Sequence, residues 1–95
     1  MGEPGAERWG EVVRAHLVFA ARIYSPAELQ RVAGVARLTI GDDGRNSATS
    51  YEDVARYLAA VEAIFGQTAF VSAKLTAMNK ARSLGLRPPG LRWFT

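Results

Sequence analysis

The sequence predicts an α+β fold: a small, mostly helical domain with one short antiparallel β-hairpin set between helices. Three observations predict it. Apolar residues recur at three and four positions through most of the 95 residues, the spacing of helix faces. Two segments open on a serine followed three residues later by an acid, which caps a helix N-terminus. Between those segments, over residues 35–41, the period drops to two and ends at the turn residues Asp42, Asp43 and Gly44. The reading gives a single domain over residues 1–86, a hairpin near residues 35–49, and an extended C-terminal tail over residues 87–95.

Each element has its own reason. Trp9, Val12, Val13, His16, Leu17, Ala20 and Tyr24 form one face of a first helix, with Glu7 near its start to suit the helix dipole. Around Leu17, Val18 and Phe19 that helix is apolar on several sides, so part of it is buried or covered by another subunit. Ser25, Pro26 and Glu28 supply an N-cap, an N1 proline and a capping-box acid for a second helix, which Gly34 is expected to stop. In the alternating stretch, Leu38 and Ile40 are the core-facing positions, and residues 46–49 return as a very short second strand. Ser50 and Asp53 cap a third helix whose stripe is Val54, Tyr57, Leu58, Val61, Ile64 and Phe65, ending at Gly66. A fourth helix over residues 68–83 places Val71, Leu75 and Met78 on one side with Ala73, Ala77 and Ala81 beside them, and stops before Gly85 and the Pro88-Pro89 pair.

Composition narrows the function classes. The chain has no cysteine, which excludes disulfides and thiolate metal sites. The opening MGEPGAER has no basic segment followed by an apolar core, so it does not read as a signal peptide. The most apolar run, residues 15–21, is far below the roughly 20 residues a membrane span needs, and a soluble chain is expected. Residues 1–66 carry seven Arg/Lys against nine Asp/Glu, whereas residues 67–95 carry Lys74, Lys80, Arg82, Arg87 and Arg92 with no acid. That asymmetry suits an anionic partner, either nucleic acid or an acidic protein surface; a solvated helix face carries the same charges.

No residue set supports catalysis. His16 is the only histidine and falls on the apolar face of the first helix, where packing explains it. Asp42 and Asp43 beside a glycine are turn residues before they are a cation site. There is no glycine-rich phosphate loop and no cluster with metal-ligand spacing, so no catalytic residue, cofactor or metal is expected. In the tail, Leu91, Trp93 and Phe94 are costly to leave in water, and Trp and Arg are enriched at binding hot spots. Arg87, Leu91, Arg92, Trp93 and Phe94 are therefore the candidate partner-binding residues.

The order of helix, hairpin, capped helix and basic tail resembles the gpW-like head–tail joining proteins of tailed bacteriophages. The resemblance covers residues 35–63, VARLTIGDDGRNSATSYEDVARYLAAVEA, and its most specific parts are the Asp43-Gly44-Arg45 turn, the Ala48-Thr49-Ser50 lead and the Asp53-Val54, Tyr57-Leu58 and Glu62 pattern. The chain departs from that family in its added helices and shorter second strand. The resemblance implies a non-enzymatic virion protein, assembled in the host cytoplasm, that joins the head to the tail as a ring-forming adaptor. It also implies a homo-oligomer contacting the portal protein and the next tail-connector protein. Lys74, Lys80 and Arg82 would then face either the DNA channel or an acidic partner surface.

A second reading is a helix-turn-helix DNA-binding regulator. The segment SPAELQRVAGVARLTI places Leu29, Gly34 and Ile40 suitably for it, and it requires a helix over residues 36–43. Gln30 occupies a position where that motif wants a small residue, Gly41 would lie inside the recognition helix, and Asp42 and Asp43 would face phosphates.

Overall fold

The computed structural model describes residues 6–87. Four α-helices carry it: α1 (Ala6–Ala20), α2 (Pro26–Ala36), α3 (Tyr51–Phe65) and α4 (Gln67–Ser83). A single 3-10 turn at Asp42–Gly44 lies between α2 and α3. The α+β expectation is overturned: among the described residues there is no strand or sheet, only an isolated antiparallel bridge between Ile40 and Asn46. The domain is all-helical.

Polar side chains take the place of the expected ladder. Ser47 donates its backbone N–H to Thr39 at 3.0 Å, but the return bond from the Thr39 N–H goes to the Ser47 hydroxyl. Asn46 donates its amide to the Gly10 carbonyl at 2.9 Å and to the Gly44 carbonyl at 3.0 Å. Short polar side chains that bond nearby backbone compete with regular structure in this way. The chain does reverse at the acidic pair, with Asp43 at φ 58° and Gly44 at φ 78°. The result is a loop bolted to α1 and α2 rather than a hairpin. Arg14 Nε donates to the Asp43 carbonyl at 2.8 Å, and Gln30 Nε2 to the Ile40 carbonyl at 3.1 Å. Leu38 is buried and Ile40 half-buried, the sides the alternation assigned to the core.

The helix starts follow the sequence. Ser25 Oγ accepts the Glu28 N–H, and the Glu28 carboxylate accepts the Ser25 N–H, a complete capping box. Ser50 Oγ accepts the Asp53 N–H, while the Asp53 carboxylate reaches one residue further back, to the Thr49 N–H at 2.8 Å. The end of α2 differs from expectation. It runs through Gly34 to Ala36 and closes on Arg37, which adopts the left-handed conformation at φ 59°. Arg37 N–H bonds the Gly34 carbonyl and Leu38 N–H bonds the Ala33 carbonyl, a Schellman closure usually given to glycine.

Three aromatic pairs step along the α1–α3 seam: Trp9 with Tyr51 at 6.0 Å, His16 with Tyr57 at 5.5 Å, and Tyr24 with Phe65 at 3.8 Å between ring centroids. Their order fixes α1 and α3 as parallel. Helix α4 returns antiparallel along α1, bringing Arg8 Nη1 to the Leu84 carbonyl at 3.0 Å. Gly66, at φ 99°, ends α3 and starts α4 within one residue.

The packing of α4 inverts what its composition suggests. Ala73, Ala77 and Ala81 are buried against α1 and α3, whereas Val71 and Leu75 are 47% and 56% exposed. Alanine allows close helix approach, so a larger residue there has no room. Ala77→Leu is expected to destabilise the chain by about 1–3 kcal/mol through overpacking, while Leu75→Ala changes stability by less than about 0.5 kcal/mol. Urea denaturation of the two variants checks the contrast.

Candidate interaction surfaces

Two exposed regions are built by this packing. The first is the outer face of α4. Val71 and Leu75 stand out on it, bordered by the polar Thr68, Ser72 and Asn79. Positions 68, 71, 75, 78 and 82 follow alternate steps of three and four, the spacing of a seam that takes a partner helix. In the described residues no neighbouring element covers Val71 or Leu75.

The second is a groove of about 580 Å³ between the end of α1, the start of α2 and the 41–44 turn. That volume is within the roughly 300–1,000 Å³ of ordinary ligand sites. Its apolar walls include Leu17, Val18, Tyr24, Leu29 and Ile40, and Asp42 and Asp43 form an acidic rim. Both aspartates are exposed. Position 44 admits only glycine where the turn meets α1, because a Cβ there would meet Arg14 Cγ at 2.9 Å and the residue holds a positive φ. Arg14 is the cation of this wall, but its guanidinium is spent on the Asp43 carbonyl and on Glu11 at 3.9 Å.

Among the described residues, the predicted cations of α4 do not converge. Lys74 is half-buried with its ammonium 5.8 Å from the Phe70 ring centroid, Lys80 is half-buried, and Arg82 is exposed. At about 100° per residue these three stand about 80–160° apart around α4, so they form no single basic patch. Arg87 is exposed at the end of the described residues. Leu91, Arg92, Trp93 and Phe94 lie outside them. The groove was missed in the sequence because its walls come from three separate segments; the run of Leu17, Val18 and Phe19, too apolar for one helix face, was the available signal. Val18 and Phe19 are 51% and 47% exposed.

His16 is not presented to solvent. It is 3% exposed, and its Nδ1 shares a hydrogen bond with the Tyr57 hydroxyl. Burial lowers the imidazole pKa to about 4, and burial, with Tyr24 adding to it, raises the Tyr57 phenol above its ordinary range. Both groups are neutral near pH 7, a packed pair in the core. At Asp53, burial pushes the carboxyl up, but the Thr49 N–H, the Arg56 guanidinium and the Ser50 hydroxyl outweigh it and hold the pKa low. No cluster of three or more His, Asp or Glu able to hold a metal occurs among the described residues. No described helix is long and apolar enough to cross a membrane.

Compared with known protein families, with curated proteins and with solved structures, the chain matches none.

The buried imidazole has a consequence in acid. Its folded pKa is depressed to about 4 from the ordinary 6.5, so the unfolded chain binds more protons between those values. The stability held above about pH 6.5 is expected to fall as pH drops toward 4, by on the order of 3 kcal/mol from this residue. Urea denaturation across that window checks it. NMR titration of the single histidine should show no protonation above about pH 5.

Proposed function

We propose that this chain is a non-catalytic assembly subunit that joins other protein subunits through exposed apolar helix faces. The observation that carries this is the orientation of α4: three alanines inward, Val71 and Leu75 outward. Contiguous exposed apolar surface on a small domain marks an interaction site. Val18, Phe19 and Ile23 at the end of α1 supply a second apolar region on a different element. Two unlike faces suit head-to-tail contacts around a closed ring.

The form of assembly we propose is a head–tail adaptor ring in a phage virion, between the portal protein and the next tail-connector protein. What supports it is the resemblance over residues 35–63, now reduced to the turn at Asp43 and Gly44 and the Ser50-capped α3 with Val54, Tyr57 and Leu58 buried. The strands that belonged to that resemblance are gone. Lys74, Lys80 and Arg82 are assigned to an acidic partner surface or to packaged DNA. The regulator reading needs a helix over residues 36–43, whereas α2 ends at Ala36 and residues 37–41 are not helical.

Sedimentation velocity from micromolar to millimolar chain tests the assembly. A closed oligomer is expected for the native sequence. Val71→Glu with Leu75→Glu is expected to break the closed oligomer into smaller species, with an unfolding free energy within about 1 kcal/mol of native. A native chain that stays monomeric throughout, or a variant that still closes the native oligomer, contradicts this reading.

A further inference from the structure

We infer that the groove beside Asp42 and Asp43 receives residues 91–94 of a second copy of this chain, with Trp93 and Phe94 as apolar anchors and Arg92 paired to the acidic rim. The inference rests on the assembly reading and names a contact within it.

The groove divides into an apolar floor and an acidic rim. Its floor holds Leu17 and Leu29, both buried, and half-buried Ile40, while Val18 forms an exposed wall. An apolar floor edged by polar groups is the ordinary shape of a site for a large hydrophobic side chain. The rim is acidic and unused: among the described residues, the carboxylates of Asp42 and Asp43 accept no hydrogen bond and enter no ion pair, unlike Asp53, which is bonded to Thr49 and Arg56. Their backbone, by contrast, is fixed by the Arg14 and Arg45 bonds, so the two charges are held in place. A preorganised acidic edge on an apolar slot fits a ligand that is cationic and aromatic at once.

The sequence supplies one such segment. Leu91-Arg92-Trp93-Phe94 has an arginine directly before two aromatic residues, and no acid follows Glu62 to compete for Arg92. Of the other aromatic residues, Trp9, Tyr24, Tyr51, Tyr57 and Phe65 pack in the α1–α3 seam and Phe70 lies under the Lys74 ammonium, while Phe19, 47% exposed, has no arginine directly before it.

Chain length favours a neighbour's groove over the chain's own. The Arg8–Leu84 bond places the end of α4 beside the start of α1. Leu17 is nine residues further along α1, about 14 Å along its axis, and on the flank away from Arg8. Six residues from Arg87 to Trp93 span at most about 20 Å. Passing along and around α1 takes most of that reach, so a tail would dock in its own groove only when extended, at a cost in chain entropy. Docking into an adjacent copy has no such restriction, and it links copies head to tail.

The test uses the full chain carrying Trp93→Ala and Phe94→Ala, which leaves its groove open, and a fluorescent peptide of residues 87–95. Saturable binding by fluorescence anisotropy is expected. Trp93→Ala in the peptide should weaken it on the order of 30-fold. Asp42→Asn with Asp43→Asn in the chain should weaken it roughly fivefold, and that loss should shrink in high salt. Asparagine tolerates the left-handed backbone at position 43, so this variant keeps the turn. Val18→Lys, at an exposed wall position, gives an independent block.

Val71→Glu with Leu75→Glu should leave peptide binding unchanged, which separates this contact from the α4 face. In that background, mixing the tail variant with the Asp42→Asn, Asp43→Asn, Val18→Lys chain should form a heterodimer and nothing larger. No binding, or binding indifferent to both groove variants, overturns the inference even if the native chain assembles. A spin label at residue 95 that broadens the Leu17 and Leu29 methyls of its own molecule in dilute solution overturns the exchange between copies.

Discussion

The fold depends on how closely α4 lies against its neighbours. Ala73, Ala77 and Ala81 present almost no side chain between α4 and the α1–α3 pair, and Ala60 and Ala20 are equally buried on the other helices. Close approach through small residues gains dispersion contacts along the backbone, but it fixes the rotation of α4. With the alanine stripe inward, Val71 and Leu75 have nowhere to go but out. Exposure of these two large aliphatics is therefore a consequence of core packing, and burial by another subunit is the natural way to offset it. At roughly 25 cal/mol per Å² of apolar surface, covering such a face contributes meaningfully to an association.

The second organising feature is the aromatic seam between α1 and α3. Its three ring pairs set the two helices parallel, which forces the chain to travel the full length of the domain between them. Helix α2 and the loop over residues 37–50 make that return. The loop is held by Arg14, Gln30 and Asn46 rather than by a sheet, and this pinning leaves the Asp42–Gly44 turn standing over the ends of α1 and α2. The groove is thus a product of the crossover, with a rim carrying two charges that nothing within the described residues neutralises. Buried polar atoms are otherwise satisfied there: no buried side-chain nitrogen or oxygen lacks a partner. The unspent interactions of this protein are on its surface.

Much of the helical organisation was legible in the sequence because caps are local chemistry. Ser25 with Glu28 and Ser50 with Asp53 marked helix starts through side chains that bond within four residues, and Gly66 marked a boundary through its positive φ. The buried faces of α1 and α3 followed from spacing alone. Three features were not legible. Alternation at residues 35–41 reported burial of Leu38 correctly but not strand pairing, since pairing depends on a partner segment, and the partner's Asn46 and Ser47 bond through side chains. The end of α2 was misplaced because Arg37 takes a left-handed conformation that glycine more often supplies, letting the helix pass Gly34. Helix α4 has apolar residues on both faces, so hydrophobicity could not say which faced inward; the answer lay in side-chain size. Of the candidate site, the charges and tail residues were visible individually, but Asp42, Leu17 and Leu29 meet only after the chain has folded.

Helix α4 is turned with its small residues inward and its large aliphatics outward, available to another subunit. Methyl NMR with a soluble paramagnetic relaxation agent reads this directly. In dilute solution, the Val71 and Leu75 methyls should broaden strongly while those of Ala73, Ala77 and Ala81 stay sharp; in concentrated solution, Val71 and Leu75 should become protected as well. Protected Val71 and Leu75 methyls beside broadened alanines in the dilute chain would contradict the account.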